Sequence, residues 1–247
     1  MQERYQQNLQ AAEARTGVQV DQGLRAYMLK VYNYMASGVL LTGIVSLFTA
    51  NSQTMLGLLY QMSGTQIIGY TGLGWVALLS PLAFVIAMSF GLHKMKASTL
   101  QVLFWAFAGV MGLSLSSIFL VYTAFSITSI FFITAAAFAS LSLWGYTTKK
   151  DISGWGSFLI MGLFGIIIAM IVNIFLASPA MQFIISIIGV LIFAGLTAYD
   201  TQKIKNMYYQ YTDGTMVQKG AIMGALKLYL DFINMMLFML RLFGVRR

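Results

Sequence analysis

The 247-residue chain has no cysteine, two prolines, one histidine and few charges: 15 Lys and Arg against 7 Asp and Glu, or 9% of its residues. Each shortage excludes something. Without cysteine there is neither a disulfide nor thiolate chemistry. The single histidine, His93, cannot build a zinc site by itself. Two prolines leave no proline-rich linker. Soluble domains carry roughly 25% charged residues, and a globule with far fewer could not cover its surface with polar groups. That excludes an ordinary soluble enzyme, a disordered chain and, despite a net charge of +8, a nucleic-acid binder. Basic charge on so apolar a chain reads instead as a signal of membrane orientation.

What the chain has in abundance is hydrocarbon: 59% hydrophobic residues, 14% aromatics and 17 methionines. An apolar run of about 18 or more residues can cross a bilayer core of roughly 30 Å as a helix. Seven runs qualify: Val31–Ala50, Leu73–Leu92 with Pro81 inside it, Leu100–Tyr122, Phe125–Tyr146, Gly154–Leu176, Met181–Lys203 and Ala221–Gly244. The last is interrupted by Lys227, Asp231 and Arg241. The expected fold is therefore an all-α integral membrane protein, a bundle of seven transmembrane helices over residues 25–247. Residues 1–24 form a polar cytosolic tail of mixed charge. The opening stretch has no short apolar segment with a small-residue cleavage site, so it is not read as a cleavable signal peptide. The connections look too short to hold a soluble catalytic domain.

Orientation follows from the basic residues. Arg4, Arg15, Arg25 and Lys30 precede the first span, and Lys94 and Lys96 lie in the second loop. Lys149 and Lys150 lie in the fourth, and Lys203, Lys205 and Lys219 in the sixth. The first, third and fifth loops have none. This alternation places the N-terminus and the even-numbered loops in the cytosol, and Trp75, Trp144 and Trp155 fall at the interfaces as an aromatic belt. Arg246 and Arg247 break the rule if the last segment crosses. It either crosses or re-enters; crossing is preferred because 24 residues suffice to span.

Of the seven acids, Asp200 and Asp231 alone lie inside apolar helices. Burying a carboxylate in a membrane costs about 2.5 kcal/mol or far more, so such a group faces the bundle interior or water. The sixth and seventh spans form a hairpin about Thr212–Asp213–Gly214–Thr215, and arms of equal length would bring both carboxylates to similar depth. Like charges at contact distance cannot both ionise cheaply, so the pair can share a proton and act as a pH-sensitive gate. Its open form is an oxygen-rich cation site. The alternative is local pairing: Asp200 with Lys203 or Lys205, and Asp231 with Lys227 one turn earlier or with a backbone group. Asn173 and Asn234 are expected to bond between helices or line a pore. Gly220 and Gly224, a GxxxG pair, and the serines Ser114, Ser116 and Ser117 read as close helix packing. His93 reads as a surface residue.

Three segments carry a resemblance. Gly195-Leu196-Thr197-Ala198-Tyr199-Asp200-Thr201-Gln202, Leu228-Tyr229-Leu230-Asp231-Phe232-Ile233-Asn234 and Gly145-Tyr146-Thr147-Thr148-Lys149-Lys150-Asp151 resemble motifs of the Bax inhibitor-1 family, the transmembrane Bax-inhibitor-motif proteins. The likeness runs from about Ala26 onward and is nearest to the bacterial branch. It implies seven helices with the last one central, and a pH-sensitive calcium leak across the membrane. The family's two-aspartate pH sensor falls on Asp200 and Asp231, which would also be the transient calcium ligands. Lys227, Asn234 and Tyr199 are the neighbours expected to support the pair or line the cation path. No cofactor beyond transient calcium is implied. The expected surroundings are the lipid bilayer of a bacterial inner membrane, calcium ions, protons and possible membrane-protein partners, with no nucleic acid. Two departures stand out. Some relatives carry an arginine in the second helix that helps close the pore, and here Leu73–Leu92 holds no basic residue. The sixth loop, Lys203 to Gly220, also looks longer than in some relatives.

Two other functions compete. Intramembrane aspartyl proteases also place aspartates on two adjacent helices, and Tyr199-Asp200 looks like their first motif. Leu228-Tyr229-Leu230 before Asp231, however, replaces the expected Gly-x-Gly, and Pro-Ala-Leu is missing. No enzymatic activity is therefore expected. The remaining alternative is a regulatory protein that binds other membrane proteins, such as proteases or stress factors, without transport.

Overall fold

The computed structural model describes residues 2–63, 66–211 and 213–247, with side chains from Gln22 onward except Gln66. The elements in order are α1 (Gln2–Asn51), α2 (Gln53–Leu59), β1 (Tyr60–Ser63), β2 (Gln66–Tyr70), α3 (Gly72–Gly91), α4 (Ala97–Leu115), α5 (Ile118–Val121), α6 (Ala124–Thr147), α7 (Trp155–Leu176), α8 (Pro179–Tyr208) and α9 (Gly214–Phe243). Hydroxyl side chains start four of the helices. Ser52, Thr71, Thr123 and Ser178 each accept a backbone N–H three residues on, which satisfies a donor the helix leaves free. Pro179 follows Ser178 at the first helical position, where its missing N–H costs nothing.

Seven helices are long and apolar enough to cross a membrane: Gln22–Asn51, Gly72–Gly91, Ala97–Val121, Ala124–Thr147, Trp155–Leu176, Pro179–Tyr208 and Gly214–Phe243. The third combines α4 and α5, which meet at Ser116–Ser117. The shortest has 20 residues and rises about 30 Å, the thickness of the hydrocarbon core. These are the seven expected spans, with the first, sixth and seventh clearly extended. Hydropathy falls where Gln22–Lys30, Ile204–Tyr208 and Gly214–Gly220 turn polar, yet the helical ladder continues through them. The sixth loop is correspondingly short, running only from Tyr209 to Asp213, so its apparent length is mostly helix. Thr212 lies outside the described residues, as do the side chains of residues 1–21, which make up most of the expected tail.

The first loop is not a plain connection. After α2, β1 and β2 pair antiparallel, with Tyr60 opposite Tyr70 and an irregularity at Gln61/Met62. The rings of Tyr60 and Tyr70 lie 5.5 Å apart, and Tyr70 lies 5.4 Å from Trp75. Leu59, Tyr60 and Ala77 form a small second core there.

Burial separates the helices. Within the spanning windows, 11% of α7 is buried but 67% of α9, which packs against α8, α1, α6 and α4. Tyr229 of α9 is fully buried. Its ring lies edge-on to Phe107 at 5.1 Å, and its hydroxyl bonds Thr42 at 2.6 Å, whose own hydroxyl donates to the Ala108 carbonyl at 2.8 Å. One motif tyrosine thus ties three helices together.

Lys219 is also buried, and its Nζ donates to the Leu92 carbonyl at the end of α3, 3.1 Å away. A cation there satisfies a free carbonyl and faces the negative end of the helix dipole. Lys219→Met keeps the stem but loses a charge-assisted bond of roughly 1.5–3 kcal/mol. The expected result is a thermal unfolding midpoint lower by roughly 4–8 °C in detergent; an unchanged midpoint would remove Lys219 as a clamp.

The chain end decides the fate of the last segment. Thr123 N–H donates to the Val245 carbonyl and Arg247 N–H to the Val121 carbonyl, each at 3.0 Å, and Val245 N–H donates to Ser126 Oγ at 3.0 Å. The C-terminus therefore sits at the end of the bundle that holds the third loop. With 30 residues and a rise of about 45 Å, α9 runs one way along the bundle without turning back and is long enough to cross. By the sidedness that the basic loops predict, this end is the outer end; the opposite end holds the lysine-bearing loops.

Candidate functional site

The site is a trough shared by α7, α8 and α9. Two residues, Ala177 and Ser178, separate α7 from α8, so the two run antiparallel side by side. Ala177 takes a left-handed conformation (φ 48°) to make the turn. Asn173 Oδ1 accepts the Ser178 N–H at 3.1 Å to secure it. Asn173 thus closes the adjacent turn instead of bonding across the bundle. Both α7 and α9 pack on α8. The space between α7 and α9 is a cavity of about 420 Å³.

Every residue expected at the site lines this one cavity: Tyr199, Asp200, Lys227, Asp231 and Asn234, with Lys203 added. The two carboxylates do not stand level. Lys227 Nζ lies 3.7 Å from Asp200 Oδ1, across the helix interface. Asp231 is one turn further along α9, toward the outer end. The arms are unequal because α8 ends eight residues past Asp200 while α9 starts 17 before Asp231.

Of the two local lysine pairings considered for Asp231 and Asp200, neither forms. Lys227 serves Asp200 rather than Asp231. Lys205 donates to the Tyr146 carbonyl at 2.8 Å, and Lys203 lies over the Tyr199 ring at 5.6 Å.

Asp231 is 4% exposed, and its Oδ2 has no hydrogen-bond partner among the described residues. A buried carboxylate oxygen without a donor is expensive unless something from the cavity meets it. The Lys227 side chain is 41% exposed and that of Asp200 13%, so the ion pair is open on one side. Asn234 Nδ2 donates to its own Leu230 carbonyl at 2.8 Å. That spends one donor inside the helix, not between helices. Among the described residues no group of three or more His, Cys, Asp or Glu could hold a metal ion. A calcium ion, which takes six to eight oxygens, would find two carboxylates here and water for the rest.

The neighbours of Asp200 in its motif serve the frame. Thr201 bonds Ser142 at 2.8 Å, and Ser142 bonds Tyr32 at 2.6 Å, a hydroxyl chain from α8 through α6 to α1. Gln202 is buried. Its Oε1 accepts the Ile152 N–H at 3.0 Å and its Nε2 donates to the Lys150 carbonyl at 2.8 Å. It thereby staples the fourth loop to α8. In that loop the hydroxyl of Ser153 and the Ser153 N–H that Asp151 accepts hold the Asp151 carboxyl below the ordinary range. Gly156 of α7 leaves room for the Tyr199 ring, and Gly220 and Gly224 leave room for Tyr211 and Ile204. The GxxxG pair is therefore helix packing. His93 is exposed in the turn after α3.

Sequence reasoning missed Gln202, Lys219 and the role of Arg241. Gln202 is a neutral amide beside a more conspicuous acid. A search for polar side chains of any kind in apolar helices would have raised it.

A second cavity adjoins the first at the outer end. It has a volume of about 490 Å³ and is lined by Met170, Asn173, Gln182 and Arg241 among others. Met170 lines both cavities. The Arg241 guanidinium lies 5.3 Å from the Phe238 ring centroid, and its Nη1 lies 3.6 Å from Met170 Sδ.

Residues 24–247 match the family described as inhibitor of apoptosis-promoting Bax1. The inner membrane protein YbhL of Escherichia coli K12 is 47% identical over 232 residues, 93% of this chain and 96% of its own length. Protein RP147 of Rickettsia prowazekii is 45% identical over 227 residues, 92% of each chain. A Caulobacter vibrioides protein is 44% identical over 234 residues, 94% of each.

Proposed function

The chain belongs to the Bax inhibitor-1 family, and from that premise we propose that it is a pH-sensitive passive calcium leak of a bacterial inner membrane. The observation that carries this reading is the cavity that Asp200 and Asp231 share, in which one carboxylate oxygen of Asp231 meets no protein donor. In this reading the N-terminus and the lysine-bearing loops face the cytosol, and α9 is the axis of the bundle. Calcium is the passing substrate and no resident cofactor takes part. Protons set the charge of the aspartate pair. With both carboxylates ionised, Lys227 is taken by Asp200 and Lys203, the other lysine of the cavity, lies over the Tyr199 ring, so Asp231 is left without a cation of its own, a local surplus that draws a divalent cation in. With a proton on the pair, that surplus is gone. Lys227 stands in for an external counter-ion at Asp200, so calcium has to displace it. Asn234 and water complete the oxygen shell.

Catalysis is not part of this proposal, because bulky Leu228, Tyr229 and Leu230 precede Asp231 and leave no glycine for a substrate backbone to approach. The test is calcium entry into liposomes holding the purified protein, from pH 5 to 8, beside Asp200→Asn and Asp231→Asn. The expected result is a flux that varies with pH, flattened by either change. Flux no greater than in empty liposomes at every pH would end the leak reading and leave regulation through membrane-protein partners as the function to pursue.

A further inference from the structure

Along α9 the residues that face the two cavities fall on one stripe: Lys227, Asp231, Asn234, Phe238 and Arg241, spaced by four, three, four and three, with Leu230 beside Asp231. That spacing follows one face of a 3.6-residue helix. The other walls keep the same order. On α7 the lining advances from Ile160 to Met170 in the first cavity and from Met170 to Ala177 in the second. On α8 it runs from Lys203 back to Phe193, then to Ile185 and Gln182. The cavities are thus consecutive along all three helices.

Between them stand Met170, Phe193 and Phe238. The Phe193 and Phe238 rings stack at 5.9 Å, and Phe238 occupies the space that a side chain at Gly189 would need. Arg241 closes over this layer from outside, its guanidinium on the Phe238 ring and against Met170 sulfur. A cation over an aromatic face is held electrostatically. Among the residues that line the outer cavity Arg241 is also the one charged group, with no carboxylate beside it.

We propose that the two cavities are successive chambers of one path, that Met170 and Phe238 form its closed outer gate, and that Arg241 both latches this gate and repels cations from the outer chamber. The proposal deepens the leak reading, since it places the barrier that a leak must open. It makes Arg241 a determinant of which charge enters and from which side.

The absence of native cysteine allows a test that does not depend on calcium flux. Single Asn173→Cys and Asn234→Cys variants are placed in sealed membrane vesicles of each orientation and treated with small methanethiosulfonates, one anionic and one cationic. From the outer side Asn173→Cys is expected to react, with the anionic reagent favoured. Adding Arg241→Gln should reduce that preference roughly fivefold, the equivalent of about 1 kcal/mol for one nearby charge. Asn234→Cys is expected to be protected from the outer side until the gate is thinned. Phe238→Ala, or Met170→Ala where loss of the buried ring impairs folding, should then raise its rate at least about tenfold.

Outer-side reaction of Asn234→Cys as fast in the parent as in the thinned proteins would overturn the gate. So would protection that persists in both thinned variants. If Asn234→Cys reacts only from the opposite side whatever stands at 170 and 238, the gate fails while the leak reading survives. If neither cysteine reacts from either side and no calcium flux is measured, both fail together.

Discussion

Calcium entry at pH 7 is expected to rise about tenfold when Lys227 is replaced by methionine. In the proposed leak, the ammonium 3.7 Å from Asp200 Oδ1 competes with calcium for that carboxylate. Two unit charges about 4 Å apart interact by roughly 4 kcal/mol at the effective dielectric of a protein surface. With 41% of the Lys227 side chain exposed, solvent screens most of this. A residue of about 1.4 kcal/mol, or tenfold, is a reasonable net effect. Methionine keeps the length of the stem, so packing changes little. Lys227→Arg should behave as the parent. The decisive comparison is a double-mutant cycle measured as initial flux. In an Asp200→Asn background, Lys227→Met has no carboxylate to release, and its effect should disappear. An equal gain in both backgrounds would mean that Lys227 acts on the bulk potential of the cavity and not through Asp200.

Gly145→Val is expected to destabilise the protein by about 3 kcal/mol or more, the upper range for overpacking. A Cβ at Gly145 would collide with the carbonyl oxygen of Ala198 and lie 3.0 Å from its Cα and carbonyl carbon. These are backbone atoms of α8, two residues before Asp200, and they cannot rotate away. Relief requires shifting α8 off α6, which also breaks the Ser142–Thr201 bond. The yield of folded protein from membranes should fall sharply, as judged by a monodisperse peak in detergent and by the unfolding midpoint. Gly43→Ala is the control. Nothing lies within 4 Å of a Cβ there, and replacing a helical glycine with alanine should stabilise by roughly 0.5–1 kcal/mol. A Gly145→Val protein as stable as the Gly43→Ala control would show that α6 and α8 do not approach as closely as described.

The spans were legible because hydrocarbon runs of membrane length have few other uses. Their ends were not, because a helix continues into water without needing apolar side chains, as at Gly214–Gly220. The hairpin of Tyr60–Ser63 and Gln66–Tyr70 was invisible, since strands of four and five residues are too short for alternation to separate from a loop. The crossing of α9 hung on backbone bonds between Val121–Thr123 and Val245–Arg247, which no side-chain pattern announces.

Asp200 and Asp231 could be picked out because an acid in an apolar helix is costly. Lys227 could not be assigned to the right acid. Spacing along one helix pointed to Asp231, whereas packing of α8 on α9 gave it to Asp200. Lys219 was counted only as an orientation signal, because its acceptor, the Leu92 carbonyl, is 127 residues away in sequence.

The short pairing at the chain end has a mechanical consequence. Its three backbone-donated bonds rivet the outer end of α9 to the loop before α6, and Lys219 pins its other end to α3. A rod fastened at both ends cannot slide like a piston along its axis. Of the three helices that wall the trough, α7 has the smallest buried share and α8 is clamped by Gln202 and the Thr201 hydroxyl chain. In the proposed leak α9 is therefore the fixed wall, and any opening has to come from α7, the least buried of the three, held at one end by the Ala177–Ser178 turn and at the other by the fourth loop that Gln202 staples.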